Sequence, residues 1–175
     1  MAEALLRLRL TERGVGATIR SAGLMEPGRT VAPEVAGMLT TRGVDVANRP
    51  SRQLDPDEIA NADLIIAMER RHLREAVLLV PQVFERAFTL KEIVRRSASS
   101  GGRREDEGFA EWLVRVGDGR ERRQLLGDSP IDDIPDPYGG PKSGYVAAEA
   151  QISGLIDEFV GLAWPLETGG RACGT

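Results

Sequence analysis

Four stretches of the chain repeat apolar residues at helical spacing, and each ends within two residues of a glycine or proline. They span residues 2–13, 33–42, 69–80 and 144–163. Such spacing places the apolar side chains on one face, which predicts helices that pack against a core. The apolar stripe of the last stretch consists of Tyr145, Ala148, Ile152, Leu155, Ile156, Phe159 and Val160.

Two shorter segments predict buried strands. Residues 17–21 lead into Ser-Ala-Gly, and the apolar run 64–67 is rich in branched residues and too short for a core helix. Between them, Asp55 followed by Pro56 and two acids is typical of a helix start. Because helices alternate with short strands, the sequence predicts an α/β fold in which a parallel sheet is covered on both faces, a three-layer arrangement.

Residues 88–126 have a helical pattern with an interruption. Ser-Ala-Ser-Ser-Gly-Gly at 97–102 precedes the charge run 103–107, and we expect mobility or an insertion near an active-site rim there. We expect Trp112 and Leu113 to pack inward.

No domain boundary is predicted, because neither side of this interruption carries a core of its own. Residues 1–165 are therefore expected to form one domain, and 166–175 a disordered tail.

The composition narrows the function classes. The 175 residues are 41% hydrophobic and 29% charged, and the net charge of −4 argues against a nucleic-acid partner. A single cysteine excludes a disulfide framework and suits a reducing cytosol. No membrane span or export signal is visible, so the sequence predicts a cytoplasmic protein without a membrane partner.

The segment with the densest chemistry is 132–140, Asp-Asp-Ile-Pro-Asp-Pro-Tyr-Gly-Gly. Each proline restricts the residue before it to extended backbone, and the glycines let the chain turn away. A loop that holds a carboxylate beside an aromatic ring suits a general acid that serves an aromatic substrate. Alternatively, it is an ordinary loop with solvated aspartates.

A metal site is a further alternative for this segment. The spacing of its carboxylates fits no standard metal loop, so no metal or other cofactor is predicted. Those carboxylates are Asp128, Asp132, Asp133 and Asp136.

Four motifs, in this order, resemble the low-molecular-weight protein tyrosine phosphatase family. They are Met1-Ala2-Glu3-Ala4-Leu5-Leu6-Arg7, Ser21-Ala22-Gly23-Leu24, Ala62-Asp63-Leu64-Ile65-Ile66-Ala67-Met68-Glu69, and Asp136-Pro137-Tyr138. The resemblance covers roughly residues 1–160. It implies a four-stranded parallel sheet and the hydrolysis of phosphotyrosine in a protein, or of a small aryl phosphate, by way of a phosphocysteine.

The family's phosphate loop has no counterpart in these 175 residues. In the family an apolar strand runs into a loop of the form Cys-x5-Arg-Ser-Pro, which precedes a helix start like the one at Met1. Two residues follow Cys173, so it cannot begin such a loop and is interpreted as an incidental thiol. We therefore expect the N-terminal central strand and the loop to be missing, with three of the four strands supplied by this chain.

Burial energies favour a misplaced start over a naturally shorter protein. A central parallel strand buries four or five large apolar side chains, each contributing about 1.5–3 kcal/mol. The total of about 10 kcal/mol is comparable to the net stability of a whole domain. The chain as written is therefore expected to be inactive, as the product of a truncated gene model.

The resemblance assigns roles within the loop. Asp136 matches the general acid that protonates the phenol leaving group and then activates water against the phosphocysteine. Tyr138 matches a ring that lines the substrate slot, and Gly139 stands where the family often has a second aromatic residue. Asp133 is expected to support the loop. Asn48 replaces a residue that is usually histidine in the family, so no role is carried over to it.

The basic cluster around the single histidine is interpreted as surface. His72 lies among Arg70, Arg71 and Arg74, and no nucleophile is near, so a solvated helix face is expected. A phosphatase would also be able to use such a cluster to attract anionic substrates.

Two other functions stay open. One is a non-catalytic pseudophosphatase that binds a partner through the rim formed by Asp136 and Tyr138. The other is an arsenate reductase on the same fold, which needs redox cysteines beyond Cys173. The sequence does not indicate an oligomeric state.

Overall fold

The computed structural model describes residues 1–44 and 50–166, so Asn48 and the predicted tail after Leu166 lie outside the described residues. The helices are α1 (Ala2–Glu12), α2 (Pro33–Thr40), α3 (Pro56–Asn61), α4 (Arg70–Leu79), α5 (Leu90–Ser100), α6 (Phe109–Gly117) and α7 (Lys142–Ala163). The strands are β1 (Ile65–Ala67) and β2 (Ala87–Thr89), and 3₁₀ helices span Pro81–Arg86 and Arg122–Leu125. Within the described ranges, no helix is long and apolar enough to cross a bilayer.

The two strands pair in parallel, with Ile65 opposite Ala87 and Ala67 opposite Thr89. Helix α4 and the first 3₁₀ helix form the crossover between them, as a parallel connection requires. Because the strands run in the same direction, their carboxyl ends lie at the same edge of the sheet. Helices α4 and α5 both begin at this edge.

The observed strands differ from the predicted ones in two places. Residues 17–21 form no strand, and the nearest ladder contact is an isolated parallel bridge between Gly23 and Gln53. A strand needs a neighbouring backbone, whereas this segment is held by the guanidinium of Arg7, which donates to the carbonyl of Ile19 at 2.6 Å. Strand β2 lies at the start of the region for which the sequence predicts helices. The sequence does not reveal this strand, because three residues are too few to show a period of their own.

The main core lies between α1, α5, α6 and α7. Trp112 and Leu113 are buried in it, as predicted, and Phe159 of α7 lies against Trp112 with ring centroids 6.2 Å apart. A smaller cluster forms around α4 and the first 3₁₀ helix, centred on Leu73 and Val83. The helix start at Asp55 is confirmed, since its carboxylate accepts hydrogen bonds from two amides in the first turn of α3.

The predicted interruption at 97–102 is largely helical. Helix α5 continues through Ser100, and Ser97 is completely buried. The helix ends at Gly101, whose φ of +84° favours glycine.

The residues that follow form a packed corner against the end of α7. A Cβ on Gly102 would lie 3.0 Å from the carbonyl oxygen of Leu162. The backbone N–H of Arg103 donates to the same oxygen at 2.8 Å, and its Nε donates to the carbonyl of Ala163 at 2.6 Å. These contacts fix the start of the charge run in place, in contrast to the expected mobile rim.

Candidate active site

The loop 128–141 joins the second 3₁₀ helix to α7 and lies at the carboxyl edge of the sheet. The backbone N–H of Ile134 donates to the carbonyl oxygen of Met68 at 2.8 Å, and Met68 directly follows β1. Ile134 itself is buried in the main core. In open α/β sheets, ligands bind outside the carboxyl ends of the strands. The loop therefore occupies the position at which a site on this fold is expected.

Asp133 fastens the loop to α4. Its Oδ1 accepts the backbone N–H of Arg70 at 2.7 Å, and its Oδ2 accepts the backbone N–H of Ser129 at 2.6 Å. Helix α4 has no side-chain cap from Glu69, the residue at its N-cap position. The carboxylate of Asp133, which lies far from α4 in the sequence, caps the start of the helix, where the helix dipole favours negative charge. The predicted supporting role of Asp133 is confirmed.

Asp132 makes a second connection, through two guanidinium groups. Its side chain is 6% exposed. Oδ2 accepts from Nη2 of Arg70 at 2.6 Å and Nε at 3.1 Å, and Oδ1 accepts from Nη2 of Arg95 at 2.8 Å. Burial by itself would raise the pKa of Asp132. The hydrogen bonds from Arg95 and Arg70 outweigh burial, so the pKa of this carboxyl lies below its ordinary value.

The interpretation of the basic cluster as surface is wrong for two of its arginines. Arg70 is half-buried against Asp132, and Arg74 donates to the carbonyl of Leu125 at 3.0 Å. Arg71 is the exposed member and pairs with Glu69. Arg70 thus holds the loop and Arg74 the second 3₁₀ helix, because long guanidinium side chains reach carbonyls and carboxylates of neighbouring segments.

Lys91, in the first turn of α5, holds the loop from another side. Its Nζ donates to the carbonyl oxygens of Asp133 at 2.5 Å and Pro130 at 3.2 Å. Lys91 and Arg95 are four residues apart and share one face of the helix. That spacing is the only signal that the sequence offers for either residue, and it does not show that this face meets the loop.

The other end of the loop is held by α7. The buried hydroxyl of Tyr145 accepts the backbone N–H of Gly139 at 3.2 Å, and Gly139 has a φ of +76°. Gly140 closes the turn by donating to the carbonyl of Pro137 at 2.9 Å. The sequence places Tyr145 in the core but does not reveal this bond. The available signal is that a buried tyrosine hydroxyl needs a polar partner.

Asp136 and Tyr138 lie together at the apex of the loop, between the residues that anchor its two ends. Oδ1 of Asp136 accepts the backbone N–H of Tyr138 at 3.0 Å, as in an Asx turn. Both side chains are exposed, and Tyr138 is 73% exposed. The second carboxylate oxygen, Oδ2, accepts no hydrogen bond from any described residue.

The carboxylates considered for a metal site do not converge. Asp132 and Asp133 direct their oxygens to guanidinium and amide donors, while Asp128 and Asp136 are exposed. Across residues 1–44 and 50–166, no group of three acids, histidines or cysteines is arranged to hold a metal ion.

Sequence comparison identifies relatives of the chain. Residues 1–105 match the family model of low molecular weight phosphotyrosine protein phosphatases. A protein-arginine-phosphatase of Geobacillus stearothermophilus is 30% identical over 145 residues, which cover 82% of this chain and 75% of that protein.

Solved structures share the fold. A low molecular weight protein tyrosine phosphatase from T. tengcongensis matches with a TM-score of 0.65 at 25% identity, over 91% of this chain and 86% of that chain. An arginine phosphatase from Geobacillus stearothermophilus matches with a TM-score of 0.61 at 26% identity, over 90% of this chain and 79% of that one. The sequence and the structure thus lead to the same group of proteins.

Proposed function

Because the chain belongs to the low-molecular-weight phosphotyrosine protein phosphatase family, we propose that its fold serves the hydrolysis of phosphotyrosine in proteins or of small aryl phosphates. Phosphoarginine is a second candidate substrate, which the similarity to a protein-arginine-phosphatase favours. Both reactions transfer a phosphoryl group to water and release a group that gains a proton.

Asp136 is the general acid in this proposal. The observation that carries it is the bond from Ile134 to Met68, which places the loop at the carboxyl edge of the sheet. The carboxylate of Asp136 is exposed, and its Oδ2 is available to donate a proton to the phenol oxygen that leaves. After the phenol departs, the same carboxylate accepts a proton from the attacking water.

Tyr138 forms one wall of the substrate slot. Its exposed ring offers a flat apolar face two residues from the acid, suited to stacking on a phenyl ring or a guanidinium plane. Gly139 follows it, so the loop supplies one aromatic wall instead of two.

The nucleophile comes from outside the 175 residues, in which no cysteine is followed by the spacing Cys-x5-Arg. The sheet supports this step of the proposal. Strand β1 pairs with β2 on one side, and Leu64, Ile66 and Met68 are only partly buried. Parallel strands are normally covered on both faces and paired on both sides when central. A further strand beside β1 would bury these side chains and give the segment 17–21 a backbone to pair with.

Activity of two proteins tests the proposal. One is the 175-residue chain, and the other is the same chain preceded by an apolar strand and a phosphate loop of the family's form, Cys-x5-Arg-Ser-Pro. We expect hydrolysis of a phosphotyrosine peptide by the longer protein only, with a Cys→Ser change in the grafted loop as the inactive control. Faster hydrolysis of phosphoarginine would select the second substrate class.

Two results would count against it. Hydrolysis by the 175-residue chain that survives both Asp136→Asn and Cys173→Ser would show that other residues do the chemistry. A longer protein that folds but hydrolyses neither substrate would favour the non-catalytic, partner-binding alternative.

A further inference from the structure

A small polar cleft of about 160 Å³ lies between the start of α4, one face of α5 and the second 3₁₀ helix. Its lining is dominated by charged side chains, with four arginines among them. Those that the argument uses are Arg70, Arg95, Arg96, Arg120, Glu92 and Asp132. None of them has a role in the proposed hydrolysis.

The deeper half of the cleft is structural. Glu92 is 8% exposed and accepts from Nε of Arg120 at 2.8 Å and from its Nη2 at 3.2 Å. Arg120 is 2% exposed, donates to the carbonyls of Phe84 and Ala87, and lies over the ring of Phe88 at 4.0 Å. All three donor nitrogens of Arg120 are therefore used within the fold.

The outer half has one guanidinium with unused donors, that of Arg95. Arg96 belongs to the structural part, because its Nε is buried 3.3 Å from Glu92 and its Nη1 donates to the carbonyls of Val116 and Asp118. Arg95 is 50% exposed and uses Nη2 alone, for Asp132. Its Nε and Nη1 make no bond within the described ranges.

The charge of the cleft is also positive. Asp132 lies between two guanidiniums, and so does Glu92, so four cations face two carboxylates. A third lining carboxylate, Glu121, forms an ion pair with Arg123, which is outside the lining. A positive cleft with unused planar donors suits an oxyanion, because guanidinium groups bind phosphate oxygens in a bidentate manner.

We propose that this cleft binds a phosphate-type oxyanion, with Arg95 as its ligand. The small volume admits a phosphate group but leaves little space for a nucleoside. The anion is therefore free phosphate or a phosphate group at the end of a side chain. Its binding site adjoins Asp132, so an anion that draws Arg95 away weakens one fastening of the loop that carries Asp136. This inference does not rest on the proposed hydrolysis.

The 175-residue chain is the right protein for the test, because it contains no Cys-x5-Arg loop to bind phosphate elsewhere. We would titrate it with inorganic phosphate at constant ionic strength and measure the heat of binding. We expect saturable binding at one site, weakened about tenfold by Arg95→Gln, as the loss of a charged hydrogen bond predicts. Arg104→Gln, an exposed arginine outside the cleft, is the matched control and should leave the affinity unchanged.

Two further measurements test the charge and the source of the bound anion. Binding should be tighter at pH 8 than at pH 5, because the second ionisation of a phosphate group falls between these two values, at a pKa of about 6 in phosphoserine. O-phosphoserine that binds as tightly as phosphate would point to a phosphorylated protein as the source, whereas binding of inorganic phosphate alone would point to the free ion.

Absence of saturable binding at millimolar phosphate would overturn the inference, as would equal affinities for Arg95→Gln and Arg104→Gln. If circular dichroism shows that Arg95→Gln does not fold, the phosphate affinity of Arg95→Lys is measured instead. This variant keeps the charge but lacks the planar fork, so unchanged affinity would contradict the proposed ligand and weaker affinity would support it.

Discussion

The backbone N–H of Ile134 donates to the carbonyl oxygen of Met68 at 2.8 Å, across 66 positions of the sequence (134 against 68). The bond joins the loop that bears Asp136 to the end of β1. Asp133 and Tyr145 hold the loop on either side of its apex, through the amides of Arg70 and Gly139. The position of the proposed acid therefore depends on residues that do not take part in the chemistry.

Asp133→Asn should destabilise the fold. The change removes a charged acceptor from the start of α4 and weakens two short bonds, to the amides of Arg70 and Ser129. We expect the free energy of unfolding to fall by about 1–2 kcal/mol, measured by urea denaturation. Asp128→Asn is the control, because Asp128 is exposed and should change stability by less than about 0.5 kcal/mol. Equal effects of the two changes would mean that the cap contributes nothing.

Asp132 should make stability depend on pH. Although burial favours the neutral acid, Arg95 and Arg70 lower the pKa of Asp132 from its ordinary 3.8. The folded state therefore binds fewer protons than the unfolded state near that pH. The stabilisation is present above pH 3.8 and is lost as the pH falls through the lower, folded-state pKa.

Asp132→Asn tests this dependence. At pH 7 it should lower the free energy of unfolding by about 2 kcal/mol, because it leaves the guanidiniums of Arg70 and Arg95 without a charged acceptor. The difference in unfolding free energy from the unchanged protein should narrow below pH 3.8, where Asp132 is protonated first in the unfolded state and then, at lower pH, in the folded state. Urea denaturation at pH 7 and pH 3 measures the difference in unfolding free energy between the two proteins at each pH. Equal differences at the two pH values would contradict a lowered pKa of Asp132.

Tyr145→Phe should separate packing from hydrogen bonding. The ring stays in the core, while the amide of Gly139 loses its acceptor. We expect a loss of about 1 kcal/mol in the free energy of unfolding, with Tyr138→Phe as an exposed control that has almost no effect. Amide hydrogen exchange at Gly139 should become faster in Tyr145→Phe. Unchanged exchange would show that the hydroxyl does not hold the loop.

Glu107 should titrate far below an ordinary glutamate. The guanidinium of Arg115 bonds to its carboxylate and lowers its pKa to about 2, against a smaller opposing effect of burial and with help from the amide of Arg104. Nuclear magnetic resonance titration of the Glu107 side-chain carboxyl carbon gives this value directly. In Arg115→Gln the pKa should return toward 4.5, and a pKa near 4.5 in the unchanged protein would contradict the contact.

The helices could be predicted from the sequence because each depends on its own pattern. Pro33 begins α2 and Asp55 caps α3, as expected from local helix signals. Strand β1 follows from a run of branched apolar residues. In contrast, β2 could not be predicted from the sequence, because Phe88 and Thr89 are followed directly by α5, and Thr89 also caps that helix.

The loop could be located from sequence, but its fastenings could not. Asp133 sits within the motif and is recognisable from its neighbours. Arg95 lies 37 positions from Asp132, and Tyr145 reads as an ordinary member of an apolar stripe. Contacts of this kind arise from the packing of α5 and α7, which leaves no local pattern in the residues that make them.

The most direct test of the account asks whether Asp136 donates a proton to the leaving group. In the protein extended with the phosphate loop, kcat/KM is measured with phenyl phosphate and with 4-nitrophenyl phosphate, before and after Asp136→Asn. Phenol, with a pKa of about 10, needs a proton to leave, whereas nitrophenolate leaves readily without one. We expect a loss of about 100-fold or more for phenyl phosphate and a much smaller loss for the nitrophenyl ester. Equal losses for the two esters, or no loss for either, would contradict the assignment of Asp136 as the general acid.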